Sequence, residues 1–173
     1  VQIVMIGAMA GIIIGVLNIT GLGFAMTEAL VQLAAGNLFL LLLMAAFVSI
    51  ILGMGMPTLG VYLLIATLVT PSLVEFGVKP ISAHLFALYF GMLSMITPPV
   101  AIAAFAAATV ANSDPMKTGF SAVTFGWSAY LVPFLFVLAP ELLFEGEPLV
   151  IVTTTTTSVI GIWLVCAGFN AYL

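Results

Sequence analysis

The sequence predicts an all-α polytopic membrane protein, and three observations carry that prediction. Of 173 residues, 64% are hydrophobic and 5% are charged, with a mean hydropathy of +1.40. A water-soluble domain is roughly a quarter charged. Apolar runs long enough to cross a bilayer, about 20 residues each, recur along the chain. Two further apolar runs are cut near their middles by proline and glycine, at Pro57 and at Pro98-Pro99. The same composition excludes other classes. Two lysines without an arginine cannot neutralise a phosphate track, so no nucleic acid is expected. Cys166, the single cysteine, can form neither an internal disulfide nor a zinc site. The net charge of -4 is too scattered to act as a field.

The elements follow in order. Val1 to Ile19 reads as a first span, with Asn18 near its end. It opens directly in apolar sequence with no signal-peptide n-region, and the expectation is a fragment of a longer chain. Gly21 to Gly36 carries Glu28, Gln32 and several glycines, and reads as a partly polar connector at the membrane interface. Leu38 to Leu52 is nearly pure hydrocarbon, interrupted by Ser49. Gly53-Met54-Gly55-Met56-Pro57-Thr58 follows, then a second apolar run to Val69. Pro71, Gly77 and Pro80 punctuate the next turn. His84 to Met95 is apolar and stops at Thr97-Pro98-Pro99, and Val100 to Ala111 follows at once. Asp114 before Pro115 suits a helix start, because proline is tolerated at the first helical position. Thr118 to Ala139 is a full span containing Pro133, Glu145-Gly146-Glu147-Pro148 is a polar turn, and Leu149 to Phe169 is the last span. The segments are therefore 1–36, 37–75, 76–112, 113–141 and 142–173.

The two breaks carry the functional signal. Proline lacks an N–H and clashes with the preceding turn, and glycine adds backbone freedom. Lipid cannot satisfy the carbonyls so freed, so each break must meet protein or line a cavity. Interrupted apolar segments are the best sequence pointer to a transporter binding site. Half-helices that stop near the midplane present free C=O groups at one end, which suit a hard cation, and free N–H groups at the other, which suit an anion. Gly53 and Gly55 allow close backbone approach, and Thr58, Ser94 and Thr97 add hydroxyl oxygens. No carboxylate lies in either motif. A site here favours a monovalent cation over a divalent one, which usually recruits carboxylates. A lone proline break is usually a kink with no ligand; two matched breaks, with Gly-x-Gly-x-Pro-Thr and Thr-Pro-Pro, favour a site.

These motifs carry a resemblance. Gly53 to Thr58 and Ile96-Thr97-Pro98-Pro99-Val100-Ala101 resemble the paired signatures of the large membrane subunit of TRAP (tripartite ATP-independent periplasmic) transporters, most closely the fused permease branch. Pro80-Ile81-Ser82-Ala83-His84-Leu85-Phe86, Tyr89-Phe90-Gly91 and Asp114-Pro115-Met116-Lys117-Thr118-Gly119-Phe120 are similar to that branch as well. The likeness runs from about Gly11 to Pro140, and the last span carries no family signature. The resemblance implies one half, the C-terminal repeat, of an inverted-repeat elevator-type transporter. Residues 37–75 would be a re-entrant hairpin with its tip at Gly53 to Thr58. Residues 81–112 would be a broken transmembrane helix, unwound near Ser94 to Pro99. It implies sodium-coupled uptake of small organic acids, a multi-pass place in the bacterial or archaeal inner membrane, and three partners. These are a periplasmic substrate-binding protein, an N-terminal half, and a small membrane subunit or fused equivalent. The ion-binding residues expected are Gly53, Gly55, Thr58, Ser94 and Thr97, and those expected for substrate are Met56, Pro57, Thr58, Pro98 and Pro99. Sodium is the coupling ion, and no cofactor is expected.

Other residues read more plainly. His84 is expected to be an interfacial cap or a hydrogen-bonded structural histidine in preference to a proton relay. Glu28, Glu75, Lys79, Glu141, Glu145 and Glu147 are expected at headgroup level or in solvent. Thr153 to Thr157 cover every face of a span, which reads as packing, and threonine hydroxyls can bond the carbonyl one turn earlier. Met54, Met56, Met92 and Met95 flank the breaks as adaptable packing. Tyr172 is expected as an interface anchor. If 37–75 enters and leaves on one side, Lys117 emerges opposite Lys79. Placing Lys117 inside then puts Glu145 and Glu147 outside. No nucleophile–base spacing supports an enzyme. The competing readings are a carboxylate symporter that needs no binding protein, and a plain helix bundle or channel.

Overall fold

The computed structural model describes residues 2–170. Among them run α1 (Gln2–Thr20), α2 (Leu22–Ala34), α3 (Leu38–Gly53), α4 (Thr58–Leu68), α5 (Thr70–Glu75), α6 (Pro80–Leu93), α7 (Ile102–Ala111), α8 (Pro115–Gly126), α9 (Val132–Leu138) and α10 (Pro148–Asn170). Short 3-10 turns occupy Trp127–Tyr130 and Pro140–Leu143, and no strand occurs among the described residues. The chain is an all-α membrane protein. Local chemistry starts several helices. Asn37 caps α3 through Oδ1, which accepts from the Leu40 N–H at 3.2 Å. Asp114 caps α8 by accepting from the Lys117 N–H at 2.8 Å, with Pro115 at the first helical position.

Pro115–Leu138 and Pro148–Gly168 are long and apolar enough to cross a membrane, and the pair Gly11–Thr20 and Leu22–Ala34, bent by 67°, qualifies together. The helices flanking the two breaks are shorter: α3, α4, α6 and α7 have 16, 11, 14 and 10 residues. At about 1.5 Å per residue, even α3 is only ~24 Å long against a hydrocarbon core of ~30 Å. α6 is the central element and packs against α3, α4, α5 and α9. Phe134 of α9 meets Phe86 and Phe90 of α6 nearly edge-on, with centroids 5.5 and 5.6 Å apart, the geometry the ring quadrupole favours. On α3, Ala45, Ser49 and Gly53 are buried at every fourth position, a small-residue stripe that permits close helix approach.

Four features add to the sequence reading. Residues 22–34 of the expected connector form a packed helix: Thr27, Leu30 and Ala34 are buried on one face, and α2 contacts α3, α4 and α5. Its polar residues turn outward, where Gln32 donates to Glu28 at 3.0 Å. Second, the 118–139 span corresponds to the single crossing segment Pro115–Leu138 but tightens locally. Pro133 cannot donate to the Ala129 carbonyl, and the chain tightens into the 3-10 turn Trp127–Tyr130, with the Leu131 N–H bonded to Ser128 O at 3.1 Å. Third, Lys79 and Glu145, both exposed as expected, form an ion pair at 2.6 Å. That pair brings the start of α6 and the turn before α10 together. Fourth, α10 contacts mainly the Pro140–Leu143 turn. Thr153 and Thr155 to Thr157 are exposed, so the packing expected of that run is not made within the described residues. The hydroxyls of Thr153, Thr156 and Thr157 donate back to carbonyls of their own helix at 2.8–3.1 Å. Tyr172 lies outside the described residues.

Candidate functional site: two helix breaks in contact

The first break ends α3. Its last turn tightens, with the Met54 N–H bonded to Ile51 O at 3.2 Å. Gly55 then takes a φ of +82°, a left-handed conformation glycine adopts freely. Pro57 leads into α4, whose first turn has no side-chain cap. The second break ends α6. The N–H groups of Met95 and Ile96 reach back three residues, to Met92 O at 3.0 Å and Leu93 O at 3.1 Å. The unwound stretch is closed at its base, where the Ala103 N–H donates to Met95 O at 3.0 Å. Ala101, at φ -73° and ψ 72°, makes an inverse γ-turn with the Ile102 N–H on Val100 O at 2.9 Å. The Pro98-Pro99 peptide is cis.

The breaks touch. A β-carbon on Gly53 would lie 2.5 Å from Ser94 Oγ and 3.1 Å from Gly91 O. Thr58 Oγ1 reaches Met95 Sδ at 4.0 Å. Ser94 is fully buried and donates to Gly91 O at 2.6 Å. Thr97 Oγ1 donates to Leu93 O at 2.6 Å and meets the Tyr130 hydroxyl at 2.6 Å. Ser49 Oγ, buried and without a hydrogen-bond partner, lies one turn before Gly53 on the same face of α3. Other expected residues stand apart from this contact. Gly55, Pro57 and Pro99 are exposed, Gly55 with nothing near its side-chain position. Met56 packs onto the core. Pro98 lies beneath Gly119, where a β-carbon would be 3.1 Å from Pro98 Cγ.

Two helix C-termini, of α3 and α6, therefore converge. Each presents the negative end of its dipole; at the α6 end Phe90 O and Ser94 O each accept one N–H, which leaves a second lone pair on each. Neither has a basic side chain in its last turn. The two lysines of the chain stand at the start of α6 and in the first turn of α8. The surroundings thus offer neutral oxygens and a negative potential. Among the described residues no group of three or more His, Cys, Asp or Glu could hold a metal.

The family model described as "Tripartite ATP-independent periplasmic transporter, DctM component" matches residues 1–146. The chain belongs to that family. Comparison with curated proteins and with solved structures gives no match.

As a DctM-family protein, the chain is a permease component of a TRAP transporter, and the family is one of transport components, not enzymes. The match covers both breaks and stops before α10. Within the matched region His84 is half-buried, with Nδ1 3.0 Å from the Tyr62 hydroxyl; the pair joins α6 to α4. A groove of about 640 Å³ between α3, α9 and α10 is lined almost wholly by apolar side chains, and no residue of either break lines it. Sequence reasoning missed Tyr130. Gly126 and Pro133, on either side of it, were the available signal for a third break.

Proposed function

We propose that this chain supplies the ion-coupling repeat of a sodium-driven permease. The permease imports small organic acids handed over by a periplasmic binding protein, across a bacterial or archaeal inner membrane. One observation carries the reading: the contact of Gly53 with Ser94, which brings two helix C-termini together with no basic group to compensate them. Sodium sits at that junction, held by carbonyl oxygens of the α3 and α6 ends and by the hydroxyls of Ser94, Thr97 and Thr58. Neutral oxygen donors without carboxylates support a monovalent ion. The substrate carboxylate meets the uncapped first turn of α4, beside Met56, Pro57 and Thr58; free N–H groups at a helix start attract an anion. A bound cation ties the 37–75 hairpin to the broken helix and lowers the cost of bringing the anion in. The repeat works with an inverted second repeat and with a small membrane subunit or its fused equivalent.

The test is uptake by the complete transporter in proteoliposomes. An inward sodium gradient and the binding protein are both expected to be necessary. Uptake driven by ATP, or undiminished without sodium, overturns the reading. Sodium-driven uptake that needs no binding protein points instead to a stand-alone carboxylate symporter.

A further inference from the structure

We infer that Tyr130 is a positioning residue of the ion site, acting through the hydroxyl of Thr97; this rests on the ion-site reading above. Proton counting fixes the direction of the contact. Thr97 has one hydroxyl hydrogen, which it donates to Leu93 O at 2.6 Å. The 2.6 Å contact between Thr97 Oγ1 and Tyr130 Oη therefore has the phenol as donor. Thr97 Oγ1 is held on two sides, by the carbonyl it donates to and the phenol it accepts from. One lone pair stays free for a cation.

The phenol reaches Thr97 from a break of its own. Tyr130 ends the 3-10 turn that Pro133 forces between α8 and α9, and its ring lies 6.4 Å from that of Phe90 on α6. Two glycines of α8 let this region sit close on the unwound segment: a β-carbon on Gly126 would be 3.2 Å from Ile96 Cδ1, and one on Gly119 would be 3.1 Å from Pro98 Cγ. The α8–α9 break thus joins the 94–101 segment through backbone proximity and through one hydroxyl pair. Loss of the phenol frees Thr97 Oγ1 to leave its ion-facing position, and it uncouples the ion site from α8 and α9.

The experiment measures the sodium half-saturation of uptake by the complete transporter for wild type, Tyr130→Phe, Thr97→Val and the double variant. Tyr130→Phe keeps the ring against Phe90 and removes only the hydroxyl. It is expected to raise sodium half-saturation about fivefold, equivalent to ~1 kcal/mol at about 1.4 kcal/mol per tenfold. Substrate half-saturation at saturating sodium should stay near wild type, and the melting temperature without sodium should fall no further than one lost neutral hydrogen bond accounts for. The double variant should match Thr97→Val alone, because the phenol acts through that hydroxyl. If Thr97→Val shifts sodium dependence while Tyr130→Phe does not, or if the two effects add, the inference fails and the ion-site reading stands. If Tyr130→Phe lowers the melting temperature equally with and without sodium, leaving sodium half-saturation unchanged, the phenol is a packing group and the inference also fails. If Thr97→Val leaves sodium dependence unchanged, the ion-site reading fails and takes the inference with it.

Discussion

Ser94 lies directly against the α-carbon of Gly53: a β-carbon there would come 2.5 Å from Ser94 Oγ and 2.8 Å from Ser94 Cβ. Ser94 cannot swing aside, because it is fully buried and its hydroxyl is bonded to Gly91 O. The junction of α3 and α6 therefore requires glycine at 53.

Gly53→Ala is accordingly expected to cost about 1–3 kcal/mol, the usual range for overpacking a close contact, and to abolish most uptake. Gly55→Ala meets no neighbour and bears only the left-handed strain of about 1 kcal/mol. Melting temperatures of the two purified variants check this order. Equal melting temperatures would mean that the Gly53–Ser94 contact is loose.

Thr97→Val keeps side-chain shape and removes one oxygen. A neutral hydrogen bond is worth about 1 kcal/mol net, so expression should hold, while sodium half-saturation rises about tenfold, ~1.4 kcal/mol. Thr67→Val is the control. The Thr67 hydroxyl bonds Leu63 O and Leu64 O of its own helix, at 3.0 and 2.9 Å, and its loss should leave sodium half-saturation unchanged. The pair is read by titrating sodium in the uptake assay.

Much of this junction was legible in the sequence, because its cause is local. Pro57, Pro98 and Pro99 remove backbone donors wherever they occur in a helix, and Gly53 and Gly55 mark close approach and a left-handed turn. Helix α2 was hidden by Glu28 and Gln32, which lie on its outer face and suggested a connector; the small buried residues Thr27 and Ala34 gave no apolar stripe to read. Tyr130 on Thr97 and Lys79 on Glu145 join residues 33 and 66 positions apart. Periodicity and turn chemistry carry no information at that separation.

Tyr62→Phe tests the structural role of the histidine. It removes the 3.0 Å partner of His84 Nδ1 and should cost about 1 kcal/mol of stability. Sodium half-saturation should not move, since the pair joins α4 and α6 away from the break contacts. A shift in sodium dependence with an unchanged melting temperature would make His84 part of the coupling machinery.

Lys79→Met and Glu145→Gln should each change stability by less than about 1 kcal/mol. The side chains are 51% and 40% exposed, so solvent and salt screen the pair. The double variant should be no worse than the worse single one. Melting curves at low and high salt check this; a large effect that persists in high salt would mean the pair is shielded from solvent by a partner.

A sodium site between the ends of α3 and α6 must show itself as ligand-linked stability. The melting temperature of the complete permease is to be followed across sodium and choline chloride titrations at constant ionic strength. A ligand that binds the folded state stabilises it by RT ln(1 + [L]/Kd). The expected result is a saturable rise with sodium that choline does not reproduce and that Thr97→Val shifts to higher concentration. A melting temperature that responds equally to both salts, or a sodium response that Thr97→Val leaves intact, would contradict it.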